Sequence, residues 1–167
     1  MPLHRREGRE GWLYLAVVLV LYSRRVIGWA VSNRMKRDLA IRALEMAVAL
    51  RKPPKGCTHH SPSRGLQANP CRAVDRGSQY CSHEYQKLLR KHGFKASMSG
   101  KGNCYDNAAM ETFFKTIKAE LIWRHSWQTR RDAEVAIFEY INGFYNPRRR
   151  HSALGWKSPL AFERFAA

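Results

Sequence analysis

The sequence predicts an α/β domain, a mixed sheet flanked by helices and followed by a helical extension at the C-terminus. Three observations predict it. Residues 12–21 and 26–31 are rich in Val, Leu and aromatic side chains and are separated only by Ser23-Arg24-Arg25, as two adjacent buried strands would be. Farther along, apolar residues recur at helical spacing in four stretches. The 167 residues are 44% hydrophobic, with five Trp and seven Phe, which is enough to bury a core.

In chain order, residues 1–11 are basic and poor in apolar side chains and read as a loose end. The two strands follow. Residues 38–50 then place Ala40, Ala43, Leu44, Ala47 and Val48 on one helical face, and Pro53-Pro54 stops that helix. Residues 56–61 read as a short strand. Residues 62–74 hold the turn formers Pro62, Ser63, Gly65, Asn69 and Pro70 and read as an insertion. Ser82 is a suitable N-cap for a helix to about Lys91, with Tyr85, Leu88 and Leu89 inward and Gly93 as terminator. Residues 97–102 form a polar, glycine-containing loop.

A further helix begins near Asp106 or Asn107, both N-cap types, and carries the stripe Met110, Phe113, Phe114, Ile117, Leu121. Thr129 with Asp132 resembles a capping box for the last long helix, whose apolar face is Ala133, Ile137, Ile141 and Phe144. The expected division is thus a loose N-terminal remnant at 1–11, a core at 12–125, and a C-terminal helix with a basic tail at 126–167.

Thirty Lys and Arg against thirteen Asp and Glu leave a net charge of +17, which favours a polyanionic partner. The apolar run at 12–22 is well short of the roughly twenty residues a membrane span needs. It leads into Arg24 and Arg25 without a small-residue cleavage site, so neither a span nor a signal peptide is expected, and the cytoplasm is the expected compartment. Cys57, Cys71, Cys81 and Cys104 form no CxxC pair and fit no ordinary structural zinc pattern.

Chemistry concentrates between Asp75 and Glu111, which residues 76–110, 35 in all, separate. Lys115 and Lys118 follow Glu111 at i+4 and i+7 and line up with it along one side of the helix. A metal-binding acid followed by phosphate-seeking lysines has this form; a solvated charged flank has it too. Near the end, Arg148, Arg149, Arg150 and His151 form a cationic cluster beside Trp156, Pro159 and Phe162. Arg binds phosphate bidentately, so the cluster is a candidate for DNA backbone contact. The other reading is a solvated basic tail anchored by Trp156 and Phe162.

Six blocks in order resemble the transposases of IS3-type bacterial insertion sequences, whose catalytic domain is shared with retroviral integrases. They are WLYLAVVL at 12–19, SRRVIGWA at 23–30, HHS at 59–61, DRGSQY at 75–80, SMSGKGNCYDNAAMETFF at 97–114 and FYNPRRRHSALGWKSPLAFE at 144–163. The resemblance implies an RNase H-like core with an Asp-Asp-Glu site that holds Mg²⁺ or Mn²⁺ and cuts and joins DNA strands. Asp75 and Glu111 match the second and third acids, and Asn107, one turn before Glu111, would support the helix end. The partners implied are insertion-sequence ends and target DNA, with a homo-oligomer as the active form.

Two departures stand out. The family's first Asp, on a strand ahead of the Trp12 block, has no counterpart: Glu7 and Glu10 do not match the motif. Its second Asp follows directly after HHS, whereas here 62–74 intervene before Asp75. Either residues 71–74 replace the strand that carries Asp75, or Asp75 hangs from a long loop. The expectation is a core lacking its first strand, truncated and catalytically impaired, with a non-catalytic DNA-binding remnant as the alternative.

Overall fold

The computed structural model describes residues 2–3, 12–34, 36–53, 56–61, 82–98 and 104–166. Three antiparallel strands, β1 (Pro2–Leu3), β2 (Leu13–Leu19) and β3 (Val26–Ser32), form one sheet in that order. Along β2, Leu13, Leu15 and Val17 join one hydrophobic cluster, while Ala16, with Tyr14 and Val18 packed beside it, joins another. Both faces of the sheet are therefore covered. That is why the strands read as continuous apolar runs instead of alternating with polar residues.

The β2–β3 ladder runs from Tyr14↔Ser32 to Val18↔Gly28 and then shifts register to Leu19↔Val26. This bulge turns Val26 to the same cluster as Val17, while Ala30 faces the other way. Gly28 lies against helix α1 (Arg37–Arg51): a Cβ at Gly28 would sit 2.1 Å from the Ala43 carbonyl oxygen and 2.8 Å from the Ala47 Cβ. The small residues on both elements bring helix and strand close together. The adjoining edge of the same face of α1, through Ala40 and Leu44, packs on Tyr85 and Leu89 of α2 (His83–Lys91).

Strand β4 (Thr58–Ser61) pairs in parallel with β5 (Lys95–Met98), with α2 in the connection between them. As the sequence predicts, the Ser82 hydroxyl accepts from the Tyr85 amide to cap α2. The second face of the antiparallel sheet is covered by α3 (Cys104–Ile117), a π-helical turn (Lys118–Ile122), α4 (Arg130–Glu139) and a second π-helical turn (Tyr140–Tyr145). Phe113, Ile117, Ile137 and Ile141 are essentially inaccessible there, each worth about 1.5–3 kcal/mol of burial. A 3-10 turn (Ser152–Leu154) and α5 (Pro159–Ala166) complete the chain.

Several expectations are corrected. Pro2 and Leu3, read as part of a loose end in a chain lacking its first strand, pair antiparallel with Tyr14 and Leu13. Ladder pairing uses main-chain groups and needs no side-chain pattern over two residues. The expected mixed sheet holds: among the described residues it comprises a three-stranded antiparallel and a two-stranded parallel ladder. Residues 97–98, expected in a loop, end β5, because a parallel ladder to β4 takes up their backbone. Helix α3 starts at Cys104, two residues before the expected cap. The proposed insertion at 62–74 lies outside the described residues.

Candidate active site and nucleic-acid interface

Helix α3 presents Glu111 to solvent from a rigid support. Its inward face holds Ala109, Phe113 and Ile117 in the core, and the Phe113 ring meets Tyr145 edge-on at 5.0 Å. Glu111 and Lys115 are exposed and Lys118 is half-buried, so the line expected from their spacing forms beside the apolar stripe. Asn107 falls within α3, one turn before Glu111. Asp75 lies outside the described residues.

An exposed carboxylate on a packed helix is a hard oxygen donor of the kind Mg²⁺ takes. Among the described residues no group of three or more His, Cys, Asp or Glu could hold a metal ion. Glu111 therefore fits such an ion as one ligand, and the described residues do not complete its shell.

The basic cluster divides into two parts. Arg149 turns inward and pairs with Glu120 of the first π-helical turn, its Nε and Nη2 each 2.9 Å from Oε1. The Tyr140 hydroxyl donates to the other Glu120 oxygen at 2.6 Å. Burial pushes the Glu120 carboxyl up, but hydrogen bonds from Arg149 and Tyr140 and the Arg149 charge outweigh it and hold the carboxyl below its usual range. Burial, with the bond to Glu120, raises the Tyr140 phenol.

His151 stands edge-on to Tyr145 at 5.2 Å. Burial, and then the charges of Arg149 and Arg24, push its pKa from 6.5 down to about 4, so the ring is neutral near pH 7. Arg149 and His151 thus serve the fold, and Arg148 and Arg150 are the exposed members of the cluster. No sequence pattern joins residue 120 to 140 and 149; the two π turns that bring them together leave no mark in the periodicity.

Two further contacts tie the tail to the sheet. The Val26 amide donates to Asn146 Oδ1 at 3.0 Å, and Asn146 Nδ2 donates to the Val26 carbonyl at 2.9 Å, so one side chain imitates a neighbouring strand. Glu163 of α5 accepts from the Ser23 hydroxyl and from Arg25, each at 2.7 Å, and pairs with Arg51 at the end of α1. Ser23 and Arg25, which the sequence shows only as a break between strands, are the anchor for α5. Of the two aromatic anchors expected, Phe162 packs on Tyr22 at 5.1 Å, whereas Trp156 is 69% exposed and meets no other ring among the described residues.

Two family models, both described as integrase core domain, match residues 3–104 and 92–159. The chain belongs to the integrase core domain family, and its fold is RNase H-like.

Among curated proteins it is similar to the transposase InsF for insertion sequence IS3A of Escherichia coli (strain K12), at 46% identity over 154 residues. It is also similar to an uncharacterized 31 kDa protein of insertion element IS600 of Shigella sonnei, at 44% over 154 residues. Each match covers 92% of this chain but 49% and 52% of the relative, so the chain spans about half the length of the curated relatives it matches. No described helix is long and apolar enough to cross a membrane.

Proposed function

We propose that the chain is the catalytic-core part of an IS3-type transposase, that it binds DNA in the cytoplasm, and that Asp75 and Glu111 are its metal-binding acids. The observation that carries this reading is Glu111: the family's motif acid stands solvent-exposed on α3, whose other face is the domain's core. Mg²⁺ or Mn²⁺ would supply charge neutralisation at a DNA phosphate. The protein's own contributions are to hold Glu111 on a packed helix and to offer cations to the backbone through Lys115, Lys118, Arg148 and Arg150. Asn107 would support the end of α3 that carries Glu111. The active form of such a core is an oligomer on insertion-sequence ends and target DNA.

Among residues 1–12 no acid matches the family's first Asp, so the 167-residue chain is expected to bind DNA with little strand transfer. Strand-transfer assays on oligonucleotides with Mg²⁺ or Mn²⁺ test this. Turnover that disappears in Glu111→Gln would overturn the impairment while supporting the site. Manganese titration followed by paramagnetic resonance gives a readout without activity: Asp75→Asn and Glu111→Gln should each weaken binding. If neither does, the non-catalytic DNA-binding reading stands, with salt-sensitive DNA affinity indifferent to both changes. A preference for RNA over insertion-sequence-end DNA would remove the DNA reading altogether.

A further inference from the structure

We infer that the loop at 151–157 and the end of α5 form a stacking platform for unpaired bases of single-stranded DNA, an inference that rests on the DNA-binding reading above. His151 pairs antiparallel with Lys157, and the Trp156 amide donates to the His151 carbonyl at 2.9 Å, closing a tight loop. Its tip is turned by two successive left-handed residues, Gly155 at φ 60° and Trp156 at φ 61°. Glycine enters that region freely, whereas a residue with a Cβ does so at a cost. The fold spends that cost on a tryptophan that is 69% exposed and packs on no ring among the described residues.

A second exposed ring is linked to the loop through Lys157. Lys157, next to Trp156, places its ammonium 3.9 Å from the centre of the Phe165 ring, and Phe165 is itself 82% exposed. Cations neighbour the two rings along the chain: Arg150 enters the loop, Lys157 leaves it, and Arg148 and Arg164 are exposed. Glu163 does not offset them, since Ser23, Arg25 and Arg51 engage both of its oxygens.

An exposed indole, with a second exposed ring that carries a cation on one face, matches a strand whose phosphates are anionic and whose bases are unstacked. A duplex offers the phosphates but keeps its base faces covered. A second copy of this chain would bring another +17 charge to the same surface.

The test uses the full chain and fluorescence anisotropy with a labelled oligothymidylate and a labelled hairpin duplex, each over a range of salt. Trp156→Ala should weaken single-strand binding by roughly fivefold to a hundredfold. It should leave the duplex affinity, the salt slope and the melting temperature unchanged, because stacking releases no counterions. Trp156→Phe should restore most of the loss, and Trp123→Ala, which removes another exposed tryptophan, should cause none. Equal loss on both DNAs, or no loss on the single strand, would overturn the platform while the DNA-binding reading survives. So would sedimentation showing a dimer that Trp156→Ala dissolves, which would give the surface to a second copy. Failure of the unaltered chain to bind either DNA would overturn both.

Discussion

Three consecutive arginines look alike in the sequence and do different work in the fold. Arg149→Ala should destabilise the protein by about 1–3 kcal/mol, because it removes charged hydrogen bonds from half-buried Glu120. Arg148→Ala and Arg150→Ala should leave chemical denaturation midpoints unchanged and each lower the salt slope of DNA binding by about one. The reverse pattern would mean that Arg149 faces the phosphates. His151 adds a pH dependence. Its pKa is about 4 in the folded protein against 6.5 ordinarily, so below 6.5 the unfolded chain takes up a proton that the folded chain refuses. Stability should be complete above pH 6.5 and fall progressively toward pH 4, a slope that thermal melts should find flattened in His151→Asn. Glu111, Lys115 and the basic cluster were legible as candidates because charge and spacing are sequence properties. Which cation turns inward was not legible, since it depends on residues 120 and 140, which lie far away along the chain.

At the level of elements, local signals carried well and long-range packing did not. The capping box at the start of α4 forms as its pattern predicts, with the Thr129 hydroxyl accepting from the Asp132 amide at 3.1 Å and Asp132 accepting from the Thr129 amide at 3.2 Å. The apolar stripe of α3 is likewise the face it buries. The π turns after α3 and α4 escaped because the same apolar residues serve an α-helical or a widened turn, and tertiary contacts choose between them. Gly28 makes a sharper case: as one glycine in a strand it says little, yet it sets how closely α1 approaches β3. Gly28→Val should cost at least about 1–3 kcal/mol, seen as a lowered denaturation midpoint, because the added carbons would meet the backbone of α1. A midpoint equal to that of the unaltered chain would show that α1 can move away.

Across the whole molecule, side-chain hydrogen bonds tie the C-terminal extension to the sheet and the turn between its strands. Asn146 completes hydrogen bonding on β3, and Glu163 gathers Ser23, Arg25 and Arg51. Burial raises the Glu163 carboxyl, but the Ser23 and Arg25 hydrogen bonds and the Arg51 and Arg25 charges prevail and hold it low. This clamp is fully present above the ordinary carboxylate range and lost as pH falls through the lower folded value. Asn146→Ala should cost about 1–3 kcal/mol for the Val26 groups it leaves unpaired. It should also speed hydrogen exchange at Val26 and at the amides of α5 together. Exchange confined to one of them would show that the extension docks independently.

By itself the sequence determined the family, the order of β2, β3 and β4 and of α1 to α4, the polyanion-seeking charge and the alignment of Glu111 with Lys115 on its helix. These follow from composition and from patterns repeated within a few residues. Only the tertiary structure decided that Arg149 and His151 serve the fold, that Ser23 and Arg25 hold the tail, that α1 rests on Gly28, and that Trp156 stands open to solvent. Each of those depends on partners brought from distant parts of the chain, and local periodicity carries no record of such meetings.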